Sequence, residues 1–262
     1  MKSARLAVFI VALACMLAAC TTTSSGGNAG SRFKSEESES EKAASLNKQL
    51  GTVYLRQGNL ALAKEKLERA EKFNPRDPEI HSVLALLYER LDIPAEVDAH
   101  YRTAIRLAPK DPQILNNYAV YLCQHGRTDE GVKRFMEAAR NPLYRTPELA
   151  YTNAGVCLRR AKRFDESGNA FARALQIRPS LAEAVYQAVD LHIDRGQIPQ
   201  GREQLDRFLS SYNATADLLL LGVRMSRAQG DRVAEEKYTR RLRVEFAGSE
   251  QLKSLEAKRN PG

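Results

Sequence analysis

The sequence contains few of the residues and motifs on which catalysis usually depends. Among its 262 residues only four cysteines and four histidines occur. The histidines are His81, His100, His125 and His192, which are too far apart in sequence for a metal-binding spacing. No glycine-rich phosphate loop, nucleophile elbow or Cys-x-x-Cys motif is found. We therefore expect a protein that is not an enzyme and that holds neither a metal nor a cofactor.

Long apolar runs are also scarce, and the one that occurs lies at the N-terminus. Lys2 and Arg5 precede an apolar segment, residues 6–16, that is too short for a permanent membrane-spanning helix. Small residues then lead to Cys20. This segment resembles a bacterial lipoprotein signal, which implies cleavage after residue 19 and a lipid on Cys20. The alternative is an ordinary signal peptide followed by a chance cysteine.

The residue after the cysteine indicates the destination of such a lipoprotein. Thr21 occupies the position where aspartate would be the usual signal for retention at the inner membrane. The resemblance therefore implies a protein anchored to the outer membrane and facing the periplasm. Several acyl chains would anchor it stably, whereas a single chain binds only marginally. Residues 20–43, rich in Ser, Thr, Gly and Glu, have no apolar periodicity and are predicted to form a flexible tether.

Charge argues against a nucleic-acid partner. The formal net charge is +8, and loss of Lys2 and Arg5 with the signal would leave +6. The remaining basic residues alternate with carboxylates along the chain, as in Lys64-Glu65-Lys66, which is typical of solvated helix faces. Together with the resemblance to an export signal, this pattern argues against nucleic acid and leaves acidic lipid headgroups or an acidic partner as alternatives.

One sequence pattern recurs through most of the chain. The first copy has Leu50-Gly51-x-x-Tyr54, Ala63, Leu67, Ala70 and Pro75, and the second has Leu84-Ala85-x-x-Tyr88, Val97, Tyr101, Ala104 and Pro109. The third has Tyr118-Ala119-x-x-Leu122, Gly131, Phe135 and Ala138, and the fourth has Ala154-Gly155-x-x-Leu158, Ser167, Phe171, Ala174 and Pro179. The period is 34 residues, with two extra residues within 141–147. This pattern is typical of tetratricopeptide repeats, which are helix-turn-helix units that stack into a solenoid.

The repeats predict an all-α fold, a right-handed superhelical solenoid of about six units over residues 44–247. The fifth unit (around Gly201 and Leu205) and the sixth (around Gly222 and Tyr238) match less well, as expected of units near the end of a stack. Prolines after the second helices and glycines after the first helices should end those helices. Residues 248–262 are predicted to be a cap or a tail, and the protein is expected to be a monomer.

Two cysteines occupy neighbouring repeats. Cys123 and Cys157 lie on the first helices of the third and fourth units, which should pack side by side. In an oxidising periplasm they can form a disulfide, and the alternative is a pair of buried free thiols. The sequence leaves both alternatives open.

The first helices of such a solenoid line an inner groove, and the repeat register predicts which residues face it. The predicted groove residues are Lys48, Thr52, Leu55, Ser82, Val83, Leu86, Asn117 and Asn153. Asn117 and Asn153 occupy the same repeat position, where a side-chain amide can bond the backbone of a bound peptide, although asparagine is also common there. This mixture of apolar and polar groups suits an amphipathic helix or a short strand.

The third and fourth repeats carry a narrower resemblance. The segments Asn116-Asn117-Tyr118-Ala119-Val120-Tyr121-Leu122-Cys123, Asn141-Pro142-Leu143-Tyr144 and Asn153-Ala154-Gly155-Val156-Cys157 resemble the lipoproteins of type IV pilus biogenesis. That family consists of outer-membrane pilotins, so the resemblance implies that the pilus secretin subunit is the partner and that the protein promotes secretin localisation and multimerisation. The alternative is an adaptor lipoprotein that docks periplasmic proteases or cell-wall hydrolases.

Overall fold

The computed structural model describes residues 38–257, which contain thirteen α-helices and no strand. The helices are α1 (Glu39–Arg56), α2 (Leu60–Phe73), α3 (Pro78–Arg90), α4 (Pro94–Leu107), α5 (Pro112–Gln124), α6 (Thr128–Ala139), α7 (Pro147–Arg160), α8 (Phe164–Ile177), α9 (Ala182–Asp194), α10 (Ile198–Ser211), α11 (Ala216–Gln229), α12 (Arg232–Glu245) and α13 (Glu250–Ala257). The predicted signal peptide, the predicted lipidation site Cys20 and most of the predicted tether lie outside the described residues. No helix within residues 38–257 has the length and apolar character needed to span a bilayer.

The helices pair in chain order into six units, which confirms the prediction of an all-α tetratricopeptide solenoid. Helices α1 to α12 form these units, and the short α13 packs against α11 through the buried Leu252 and Leu255. Each first helix also contacts the first helix of the next unit, from α1 through α11. The second helices make no comparable contacts with one another in the described part. The first helices are therefore the more closely packed row, and they line the inner side of the stack.

Prolines and caps set the ends of the helices as the sequence predicts. The helices α2, α4 and α8 each end two residues before Pro75, Pro109 and Pro179, respectively. A proline in the following turn cannot continue the helix, because it lacks an N–H and restricts the residue before it. The side chains of Asp77 and Asp111 accept hydrogen bonds from the first backbone N–H groups of α3 and α5.

The turn between the two helices of each unit requires a residue in the left-handed conformation. The sequence predicts a glycine at this turn in four of the six units. Glycine fills this position in the first, third, fifth and sixth units, with φ between 66° and 77°. In the second and fourth units the same conformation is held by Asp92 and Lys162, with φ of 57° and 60°. A side chain makes this conformation costly, more so for lysine than for aspartate.

The predicted end of the tether, residue 43, is wrong by five residues. Helix α1 begins at Glu39, because Ser38 and Glu41 form a reciprocal capping box. The Ser40 hydroxyl also donates a hydrogen bond of 2.8 Å to the Phe73 carbonyl at the end of α2. The first helix therefore starts earlier than its apolar pattern indicates.

Each unit closes around a small residue of its first helix and a large residue of its second. A Cβ atom added at Gly51 would meet Leu67 side-chain carbons at 2.5–2.8 Å, and one added at Gly222 would meet the Tyr238 ring at 2.8–2.9 Å. The large partners at this position are fully buried: Leu67, Tyr101, Phe135, Phe171 and Tyr238. This close approach, repeated along the chain, produces a continuous core.

Ion pairs between neighbouring units add polar links along the stack. Arg127 of the third unit donates two hydrogen bonds of 2.9 Å to the Asp98 carboxylate of the second. Arg163 pairs with Asp129 in the same way one unit further on. These pairs are partly exposed, so each stabilises the fold by about 1 kcal/mol or less. Their repetition is consistent with the predicted solvated charge on the helices.

Candidate peptide-binding groove

The inner face of the solenoid is formed by α3, α5 and α7 at its centre. Val83 and Leu86 on α3, Val120 on α5 and Val156 on α7 are partly exposed there. Together they form an apolar strip that crosses three consecutive units. We call this strip and the polar residues beside it the inner groove.

A small concavity of the inner groove lies between α5 and α7. A concavity of about 130 Å³ is lined there by Val120, Gln124, Asn153, Val156 and Arg160. A disulfide and Phe135 form its floor. This volume accommodates one medium-sized apolar side chain, with an amide and a guanidinium at its margin.

The structure joins Cys123 of α5 and Cys157 of α7 by this disulfide. Their Cα atoms are 5.5 Å apart, within the normal range for a disulfide, and the two residues are 34 positions apart in the sequence. Both side chains are buried. Of the two alternatives that the sequence leaves open, the geometry matches the disulfide, which fixes α5 and α7 beside each other under the groove.

Two of the predicted groove residues are not available to a ligand. Leu55 is 8 % exposed and Ser82 is 4 % exposed, so both pack between helices. The prediction that they face the groove is wrong, because adjacent first helices approach closely enough to cover them. Val83 and Leu86, one position and four positions after Ser82, remain partly exposed on the inner face.

Two further predicted groove residues are engaged within the protein. The Lys48 ammonium contacts the carboxylates of Asp77 at 2.9 Å and Glu79 at 2.5 Å. Burial lowers the pKa of Lys48, but these two hydrogen bonds outweigh it, so the net shift of the pKa is upward. The Thr52 hydroxyl donates to the Lys48 carbonyl. Lys48 therefore links the first two units and Thr52 bonds within α1, so both are engaged inside the protein and ligand contacts fall to the later units.

The two predicted asparagines lie on the inner face, where both are partly exposed. The Asn153 side-chain amide donates to the Asn116 side-chain oxygen at 3.3 Å, which is a long hydrogen bond across α5 and α7. Asn117 makes no hydrogen bond through its side chain to another described residue. Asn117 therefore keeps its amide groups free for a peptide backbone.

A row of arginines borders the inner groove at one edge. Arg56, Arg90 and Arg160 are the last residues of α1, α3 and α7, and all three are exposed. Because α1 and α3 are parallel neighbours in the inner row, and α7 lies in the same row with α5 between it and α3, their last residues lie along the same edge. No other described residue forms an ion pair or hydrogen bond with these three side chains. Each complements the negative end of its own helix and has N–H groups free for an external carboxylate.

A carboxylate lies close to this edge. Glu89 is half-buried, and burial raises its pKa, an effect that the nearby His125 and Arg90 partly offset. Partial burial therefore disfavours the charged form of this carboxylate. The inner groove therefore combines an apolar floor with a predominantly basic margin.

The two-residue insertion forms a loop with a defined structure next to the third unit. The Asn141 side-chain amide donates a hydrogen bond of 2.7 Å to the Lys110 carbonyl. The side-chain oxygen of Asn141 accepts a hydrogen bond of 2.9 Å from the Leu143 N–H. Leu143 itself is 85 % exposed. The loop is thus held to the preceding turn and presents a large apolar side chain.

A cluster of possible metal ligands was missed by the sequence analysis, which found no metal-binding spacing. Glu71, His81 and His100 come from three different helices, and their ligand atoms all lie within 4.8 Å of one another. Sequence spacing cannot reveal such a cluster, because only the stacking of the first two units brings these residues together. His125 and His192 lie apart from it.

Comparisons with known proteins agree with this architecture. A tetratricopeptide repeat family model matches residues 48–112 and 119–182, and a second one matches residues 100–133. The type IV pilus assembly protein PilF of Pseudomonas aeruginosa is 26 % identical over 211 residues, which cover 80 % of this chain and 84 % of PilF.

Solved structures give the same result. The crystal structure of PilW, described as a widely conserved type IV pilus biogenesis factor, superposes with a TM-score of 0.66 at 26 % identity, covering 82 % of this chain and 98 % of that one. The Pseudomonas aeruginosa PilF structure gives a TM-score of 0.64 at 26 % identity, covering 84 % and 99 %. The chain belongs to the tetratricopeptide repeat family and is similar in sequence and structure to the pilus biogenesis proteins PilF and PilW.

Proposed function

We propose that this chain is a non-enzymatic assembly factor of type IV pilus biogenesis. In this proposal it is an outer-membrane lipoprotein, acylated at Cys20, that binds a segment of the pilus secretin in the inner groove. Binding brings the secretin subunit to the outer membrane and promotes its multimerisation. The similarity to PilF and PilW over four-fifths of the chain is the main support.

The inner groove supports a partner of particular chemistry. Its strip of Val83, Leu86, Val120 and Val156 would cover the apolar side chains of an extended segment or of one face of a helix. Arg90 and Arg160 at the margin would pair with acidic residues of the same segment. We therefore expect the bound secretin segment to be amphipathic and acidic.

The buried disulfide supports the proposed location. Disulfides persist in the periplasm and are rare in the reducing cytoplasm. A buried disulfide between Cys123 and Cys157 is thus consistent with export. The lipid at Cys20 and the outer-membrane position remain part of the proposal, resting on the resemblance of residues 1–20 to a lipoprotein signal.

A pair of matched substitutions tests the groove. Val120→Glu places a carboxylate on the groove floor, whereas Val233→Glu makes the same change at a valine of α12 that is 84 % exposed. We expect Val120→Glu to reduce secretin multimers in envelopes at least tenfold and Val233→Glu to leave them at the wild-type level. Circular dichroism should show both variants to be folded. Normal multimers with a folded Val120→Glu protein would contradict binding in this groove.

A second variant tests the anchor separately. Cys20→Ala should leave a folded protein that no longer delivers secretin to the outer membrane, because the lipid is lost. Normal secretin multimers in this variant would refute delivery by the lipid. Pull-down from solubilised envelopes distinguishes the alternative function, since an adaptor would recover proteases or cell-wall hydrolases in place of the secretin.

A further inference from the structure

Two histidines and a glutamate meet between the first two repeats, away from the inner groove. Glu71 lies near the end of α2, His81 in the first turn of α3 and His100 in the middle of α4. The Nδ1 atoms of His81 and His100 are 3.1 Å apart, and the His81 Nδ1 is 3.5 Å from the Glu71 carboxylate. His81 is 5 % exposed, so this contact is shielded from water.

A hydrogen bond on the far side of His81 sets the protonation of the ring. The His81 Nε2 lies 2.9 Å from the Pro75 carbonyl, which can only accept, so Nε2 carries a proton. In the neutral ring, Nδ1 then carries a bare lone pair. That lone pair faces both the Nδ1 of His100 and the carboxylate of Glu71.

When both rings are neutral, the Nδ1 atoms of His81 and His100 and the Glu71 oxygen therefore share at most one proton. A proton on the His100 Nδ1 can satisfy the His81 lone pair, but nothing then lies between that lone pair and the Glu71 oxygen. Two acceptors in contact repel each other, and their burial makes the repulsion stronger. A second proton on His81 would satisfy one of these two contacts, whereas a metal cation placed among the three atoms satisfies both.

The distances fit a zinc ion. With Zn–N bonds of about 2.05 Å and tetrahedral angles, two ligand atoms of one zinc are separated by about 3.3 Å. The two separations that involve His81, 3.1 Å and 3.5 Å, lie on either side of this value, and the third pair, Glu71 with His100, lies within 4.8 Å. Two imidazoles and one carboxylate are also a donor set that zinc accepts, with water completing the coordination.

The surroundings of the rings match the second shell of a metal site. The Pro75 carbonyl holds His81 in the tautomer that leaves Nδ1 free as a ligand. On the His100 ring, Nε2 faces the Glu96 carboxylate at 3.9 Å, and Tyr88 stacks on the ring with an interplanar angle of 9°. When a metal binds Nδ1 of His100, the ring proton moves to Nε2, on the side of the ring that faces the negative charge of Glu96.

We propose that Glu71, His81 and His100 form a zinc-binding site that ties the first repeat to the second. Glu71 is contributed by the first unit, and both histidines by the second. The ion would link repeats 1 and 2 as the Cys123–Cys157 disulfide links repeats 3 and 4. Bound zinc would stabilise this junction without taking part in catalysis.

The test is zinc titration of the full chain, produced without a histidine tag and stripped with a chelator. Isothermal titration should give one zinc per chain with a Kd of micromolar or below. Saturating zinc should raise the unfolding midpoint by about 5 °C or more. Cobalt(II) should show visible absorption typical of tetrahedral coordination when it replaces zinc.

Variants separate this site from adventitious binding. His100→Gln and Glu71→Gln, at partly exposed positions, should weaken zinc binding by about a hundredfold and abolish the rise of the midpoint. His125→Gln is the matched control, because His125 is exposed and bonds only the Tyr121 carbonyl of its own helix. Unfolding in the presence of chelator checks that each variant is folded. Equal zinc affinity in wild type and His100→Gln, or no binding at all, would overturn the proposal.

Discussion

The Cys123–Cys157 disulfide gives the most quantitative prediction for the stability of the fold. The cross-link closes a loop of 34 residues that spans the junction of repeats 3 and 4. Loop-closure entropy for this length corresponds to a stabilisation of about 4 kcal/mol, chiefly by restricting the unfolded chain. Because solenoid repeats interact mainly with their neighbours, we expect reduction of the disulfide to lower the stability chiefly of the third and fourth units.

Equilibrium urea unfolding, with and without a reducing agent, measures this contribution. A form of the chain that begins after Cys20 contains only Cys123 and Cys157, so its thiol content reports the disulfide directly. With a slope of about 2.5 kcal/mol per molar urea, reduction should lower the midpoint by about 1.5 M. The double variant Cys123→Ala/Cys157→Ala should unfold at the same urea midpoint as the reduced protein, and its midpoint should not change when the reducing agent is added. Two titratable thiols in the unreduced protein, or a shift below about 0.3 M, would refute the reasoning.

Four further changes of stability can be checked by the same urea unfolding. Tyr101→Phe should be neutral or should stabilise the fold by about 1 kcal/mol, since the Tyr101 hydroxyl is buried without a hydrogen-bond partner. Tyr118→Phe should instead destabilise the fold by about 1–2 kcal/mol, because the Tyr118 hydroxyl donates a hydrogen bond of 2.7 Å to a carboxylate. Lys162→Gly should stabilise by about 1 kcal/mol, because lysine there is held at φ 60°. Gly155→Ala should destabilise by about 1–3 kcal/mol, since the added methyl group would overlap the Phe171 ring. An opposite sign for any of these changes would contradict the packing that predicts it.

The fold could be predicted from the sequence because the same local signals for helix ends and close helix contacts recur from repeat to repeat. Pro75, Pro109 and Pro179 follow the ends of second helices, and small residues recur where helices approach closely. These signals act over a few residues and depend on backbone chemistry alone. Their repetition at a period of 34 makes the architecture predictable.

Some local features escape the repeat pattern. Asp92 and Lys162 occupy left-handed turn positions without being glycine, so only the coordinates reveal them. Helix α1 starts at Glu39 because of a side-chain cap that lies outside the apolar periodicity. The first of these differences concerns non-glycine residues in a conformation that favours glycine, and the second a side-chain cap that precedes the repeat pattern.

The candidate site was only partly predictable for a different reason. The register identifies which residues point inward, but how far neighbouring first helices cover them depends on packing distance. Leu55 and Ser82 are covered, whereas Val83 remains partly exposed. Contacts between units, such as Glu71 with His81, depend on the stacking geometry, which no sequence spacing encodes.

Site-specific photo-crosslinking in piliated cells tests the central proposal most directly. A photoreactive amino acid replaces Val120 in the inner groove, and a matched derivative carries it at the exposed Val233. Captured proteins are then identified by mass spectrometry. We predict that position 120 captures the pilus secretin subunit and that position 233 does not. Capture of a protease or cell-wall hydrolase at position 120, or equal capture of secretin at both positions, would contradict the account.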